Sequence, residues 1–208
     1  AYKDDSGVYI LSDVIDEESH QWILDTFSWA ITHFDVLEFK NNSQLVLPNN
    51  QFYQGSVTSV HDMALSIFKQ TAAYAGMQQW PIILITPERF FAGSQQITTP
   101  QFNMVDNCRG VNTPFASLNE KDSEKLQQQP IMLSYRENQV TQPQDLISSI
   151  VQNLANILII QQSSLPPGGK DFIPQAVDVI ACFMGFGVIF SNTAYQFKGG
   201  CGSCNNPN

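Results

Sequence analysis

Two stretches decide how this chain is read: QDLISSIVQNLANILIIQQ (Gln144–Gln162) and PQAVDVIACFMGFGVIFSN (Pro174–Asn192). In the first, Ile147, Ile150, Val151, Leu154 and Leu158 recur at the spacing of one helix face. Asp145, Ser148, Ser149, Gln152 and Asn156 form a polar stripe, with Asn153 beside it. Gln152 and Asn156 therefore project from one face, one turn apart. Periodicity alone makes such a stripe a solvent face. Ile157, Ile159 and Ile160 are apolar all round, however, which predicts a helix buried on most sides with its polar patch turned to something internal.

The second stretch reads as one long helix whose only charge is Asp178. Gly185 and Gly187 each cost about 1 kcal/mol of helix propensity, which close approach of a neighbouring backbone would offset. The two helices are thus expected to pack together, with Gly185 or Gly187 at the closest approach and Asp171 as the N-terminal cap. Cys182 is expected in the core. Asp178 needs a partner there; alone it would be protonated.

Working outward, Asp16–Phe34 is helical, with Trp22, Ile23, Phe27, Ala30 and Ile31 in register and acidic residues in its first turn. Leu45-Val46-Leu47 is strand-like and closed by Pro48-Asn49-Asn50. A helix runs from about Val57 to Tyr74, and Pro81–Ile85 reads as a buried strand. Gly93–Gln129 reads as loops with one or two edge strands, and Ile131–Tyr135 as a further strand. The pattern predicts an α+β fold in a single domain over 1–208: an α/β part to residue 140, the helix pair over 141–195, and a truncated or flexible Gly/Asn/Cys tail over 196–208. The sheet is expected to be small and mixed, with helices N-terminal to it and the two long helices closely packed at the end.

Composition narrows the partners. The 208 residues are 43% hydrophobic and only 14% charged, with a formal net charge of −9. The ten Lys and Arg are scattered singly, so nucleic acid is not expected as a partner. Amides take the place of charges, 21 Gln and 15 Asn, dispersed among apolar residues rather than run together. The longest apolar run, Val179–Phe190, falls short of the roughly 20 residues of a spanning helix. A soluble protein without a membrane span is expected. The cytoplasm is favoured, with periplasm and export left open.

These segments resemble a family of bacterial zincin-like, gluzincin-type proteins. The likeness lies in VLPNNQFYQG (Val46–Gly55), in the helix leading to Tyr74–Met77 and Trp80, in LISSIVQNLANILI (Leu146–Ile159), and above all in GFGVIFSN (Gly185–Asn192). The family's active-site helix reads HExxH, followed by a helix with a glutamate four residues before an aspartate. The resemblance places the first histidine ligand at Gln152, the general-base glutamate at Asn153 and the second histidine at Asn156. It places the third ligand at Pro174, and only the second-shell aspartate is kept, as Asp178. It implies a zincin-like fold and a degenerate site, a pseudo-peptidase with no cofactor that holds a peptide or protein partner.

The chemistry agrees with that degeneracy. Catalytic zinc takes three imidazole or carboxylate ligands and leaves one position for water. Amide oxygens are hard, weak donors, and Asn153 cannot accept a proton from water. Two other readings stand beside this one. A metal-dependent hydrolase could use a relocated site built from Asp178, Asp171 and one of His20, His33 or His61. A purely structural or interaction domain would have no cleft beside Gln152 and Asn156. The histidines lack metal-ligand spacing, which gives them surface or cap roles. Cys201 and Cys204 form a lone CxxC, a loop disulfide or dithiol and at most a weak candidate for half a zinc site. Arg109 could favour a thiolate at Cys108, but with no histidine nearby in sequence Cys108 is not expected to be a nucleophile.

Overall fold

The computed structural model describes residues 2–3, 9–10, 15–55, 59–92, 109–110 and 130–199. The sequence expectations for 93–108, for 111–129 and for Cys108, Cys201 and Cys204 lie outside them. Short strands β1 (Tyr2–Lys3) and β2 (Tyr9–Ile10) pair antiparallel. Helix α1 (Glu17–His33) begins where Asp16 accepts the Ser19 backbone N–H at 2.8 Å, with Glu17 and Glu18 in its first turn. Those hydrogen bonds hold the Asp16 carboxyl below the ordinary carboxylate range. Helix α2 (Val36–Asn42) is capped in the same way by Asp35, and α3 (Val60–Tyr74) by Ser59.

Strands β3 (Ile82–Leu84) and β4 (Ile131–Leu133) form a parallel pair in register Ile82↔Ile131, Ile83↔Met132 and Leu84↔Leu133. Each alternates buried, exposed, buried, as a half-covered strand does. Short α4 (Pro87–Ala92) follows β3, and α5 (Glu137–Val140) follows β4. The described strands thus make two separate two-stranded sheets rather than one mixed sheet. The architecture is α+β and mostly helical.

Helix α6 (Pro143–Ile160) is the axis of the core. Leu146, Val151, Leu154, Ala155 and Leu158 are fully buried on it, and it packs against α3, α7 (Ile173–Phe183) and α8 (Gly187–Gly199). Ser148 and Thr193 meet side chain to side chain at 3.4 Å between α6 and α8. Helix α1 lies on α7 and is tied to the α6–α7 connection by two indoles. Trp22 donates to the Pro167 carbonyl at 2.9 Å and Trp29 to Ser164 Oγ at 3.3 Å. No helix among the described residues is long and apolar enough to cross a membrane.

The last stretch departs from its sequence reading. Residues 174–192 are not one helix, because the chain breaks at Gly185, where φ is +99°. Phe186 N–H reaches back to the Ala181 carbonyl at 3.0 Å, a Schellman-type closure that needs glycine at the left-handed position. What approaches Gly185 is not α6 but the extended segment before residue 48. A Cβ there would stand 2.0 Å from the Gln44 carbonyl oxygen, and Val46 N–H donates to the Gly185 carbonyl at 2.9 Å. Val46, expected in a strand, is buried through that contact instead. Gly187 meets only the Cys182 side chain, at 3.5 Å. Asp171 lies within a 3-10 turn (Gly169–Phe172), and no side chain caps α7. Cys182 is exposed rather than core, since it follows Asp178 by one turn on the outer face of α7.

Candidate functional site

The polar stripe of α6 is divided between two surroundings. Gln152 is exposed and turns toward α7, where its amide donates to the Asp178 carboxylate. Partial desolvation between the helices raises the Asp178 carboxyl above its ordinary value, and the Gln152 hydrogen bond opposes that rise. One turn on, desolvation and then the Asp178 charge push the Cys182 thiol up, so it stays protonated at neutral pH. Pro174 stands exposed one turn before Asp178 and offers no donor atom.

Asn153 and Asn156 face elsewhere. They line a groove of about 840 Å³ together with Ile157, and its other wall is β4 with the Ser134–Arg136 segment that follows. Asn153 Nδ2 donates to the Ser149 carbonyl of its own helix at 2.8 Å, which fixes the side chain. The Asn156 amide makes no hydrogen bond among the described residues. Phe90 and Phe91 of α4 form an apolar side of the groove, and Phe91 is 74% exposed. Its charged residues among those described are Glu88 and Arg136, one of each sign.

Tyr135, buried at one end of this groove, contacts a residue that sequence spacing had left on the surface. His61 Nδ1 lies 3.2 Å from the Tyr135 hydroxyl, and the two rings stack at 5.9 Å. A hydrogen bond from the Thr86 side chain, aided by the His61 field, holds the Glu88 carboxyl down. No local signal marks this grouping, because α3 and the chain after β4 bring His61 and Tyr135 together from distant positions.

Zinc is a poor fit to the positions the resemblance picks out. Gln152 is engaged by a carboxylate, Asn156 offers a neutral amide, and Pro174 offers nothing. Among the described residues no three His, Cys, Asp or Glu side chains gather as metal ligands. His33 lies against Trp29 and His61 against Tyr135, while Asp178 has the neutral Gln152 amide and Cys182 thiol beside it. Arg109 is also committed. Its guanidinium lies 4.9 Å over the Phe183 ring, and it donates to the Ala75 carbonyl at 3.4 Å. No protein-family model matches the chain, and no curated protein or solved structure matches it.

Proposed function

We propose that this protein is a zincin-like domain without peptidase activity that holds an extended peptide or a partner's strand in the groove between α6 and β4. The observation that carries the reading is the placement of Asn153 and Asn156 side by side along a groove walled by a strand edge. Ile131 N–H donates to Pro81 and Leu133 accepts from Ile85, so residues 131 and 133 spend their backbone groups on β3. The Met132 N–H and C=O consequently point to the other edge, which pairs with no strand among the described residues. Such an edge accepts an added strand through main-chain hydrogen bonds. Neutral amides opposite it can serve a peptide backbone without the base or metal that would cut it.

The test pairs binding with metal. Anisotropy of fluorescein-labelled casein peptides should show saturable binding to the wild type without cleavage, and Met132→Pro, which deletes the edge donor, should weaken it about tenfold. Peptide hydrolysis by the wild type overturns the reading. So does stoichiometric zinc that Gln152→Ala removes.

A further inference from the structure

A second cavity, of about 380 Å³, lies between the 48–55 loop, one face of α3 and the first turn of α6. It lies within the range of small-molecule sites, roughly 300–1,000 Å³. Its loop is held firmly. Asn49 Oδ1 accepts the Gln51 N–H at 2.9 Å, and Tyr74 donates to the Phe52 carbonyl at 2.7 Å. Gln70 grips the Gln54 backbone from both sides, accepting from its N–H at 3.0 Å and donating to its carbonyl at 3.1 Å. The walls are therefore pre-organised, which lowers the cost of binding.

The lining has a marked chemistry. It contains amides, Tyr53, Ser66, prolines and the apolar Met63, Ile67 and Ile147, and no charged side chain among the described residues. The Asn50 amide and Gln54 Oε1, on the exposed rim, make no hydrogen bond among the described residues. An ion entering here would lose water and gain no counter-charge. A purely apolar guest would leave the amides unpaired. Hydroxyl groups both donate and accept, and a ring bearing them still has C–H faces for the apolar floor.

We infer that this cavity binds a neutral, polyhydroxylated small molecule of monosaccharide size, whose hydroxyls pair with the Asn50 and Gln54 amides on its rim. The site is independent of the α6–β4 groove. Ligand-observed saturation-transfer NMR on the intact protein would use glucose, galactose, mannose, N-acetylglucosamine and myo-inositol as probes. Glucuronate and glucose 6-phosphate serve as charged counterparts. At least one neutral probe should saturate with a Kd in the millimolar range, about what a few net hydrogen bonds leave after the cost of association. Its charged counterpart should bind at least about tenfold more weakly. Asn50→Leu and Gln54→Leu, both on the exposed rim, should each weaken the best probe several-fold without touching the core. A free sugar and the end of a glycan are separated by comparing the best probe with its methyl glycoside. Loss on glycosylation means a free ligand, and equal binding means a conjugated one. The inference is overturned if no neutral probe saturates by about 50 mM, if the charged counterparts bind as well, or if neither substitution changes binding.

Discussion

Replacing Gly185 by alanine tests the feature that most distinguishes this structure from its sequence reading. The new methyl would sit 2.0 Å from the Gln44 carbonyl oxygen, a backbone atom that cannot swing aside. That is roughly 1.5 Å inside the distance at which such contacts turn attractive. At φ +99° an L-residue is strained even in open space, by about 1–3 kcal/mol. Moving the Gln44 segment away would also break the Val46–Gly185 hydrogen bond, worth about 0.5–1.5 kcal/mol net. Together these predict a loss of about 2–4 kcal/mol, a large part of the margin of a domain this size. Urea denaturation followed by circular dichroism at 222 nm measures it, with Gly187→Ala as the matched control. Gly187 has ordinary space beside Cys182 and no positive φ, so that change should be neutral or stabilising by up to ~1 kcal/mol. Equal midpoints for the two variants would mean that 174–192 forms the continuous helix its sequence implies.

Asp178→Asn keeps an acceptor for the Gln152 amide and removes a charge that partial burial disfavours. Because the folded pKa is raised, the charge penalty is absent below the unfolded carboxylate value of about 3.9 and sets in as pH rises through the folded value. The variant should therefore be more stable than wild type at pH 7 by less than about 1 kcal/mol, given the solvent exposure, and equal to it near pH 3 in urea melts. A variant less stable at pH 7 would show that the carboxylate, not the amide pairing, holds α7 to α6. Tyr53 is pushed up to about 12, chiefly by burial and in spite of its hydrogen bond with Thr71. In absorbance titration at 295 nm, Tyr53→Phe should remove a phenol that ionises well after the ordinary tyrosines near 10. Loss of an ordinary phenol instead would mean that the wall between the 48–55 loop and α3 is open to water.

Where sequence and structure agree, the information is local. Asp16 followed by two glutamates is enough to start α1, but of its expected stripe Trp22, Phe27 and Ala30 turn inward while Ile23 and Ile31 are exposed and Trp29 is buried instead; α6 is read from periodicity within two residues at either end. Ile82–Leu84 and Ile131–Leu133 are apolar runs bounded by breakers, and both are strands. The misreadings come from contacts distant in sequence. The 174–192 stretch is apolar on every side, so periodicity could not say which face met what, and the Gln44 and Val46 backbone decided where it broke. The same contact explains why Leu45-Val46-Leu47 is no strand: its Val46 N–H is already used. Of the candidate site, the spacing of Gln152 and Asn156 was legible. That one turns to Asp178 and the other to the groove depends on α7 and β4, which no spacing within α6 encodes.

The excess of amides over charges takes on a meaning once the two concavities are compared. In the groove, Asn153 and Asn156 lie along a wall opposite a strand edge, so hydrogen-bonding groups follow a line and suit an extended chain. In the cavity beside the 48–55 loop, amides ring an apolar floor of Met63, Ile67 and Ile147, and suit a compact guest. Among the described residues the one balances Glu88 against Arg136, and the other carries no charged side chain. The acidic surplus is carried in part by the exposed turns of α1, at Glu17, Glu18 and Asp25, away from both linings. Long-range attraction then contributes little to what either surface selects. Selection falls to hydrogen-bond geometry, where an amide is at its best: it donates and accepts at once, costs far less to bury than an ion, and keeps its character at every physiological pH.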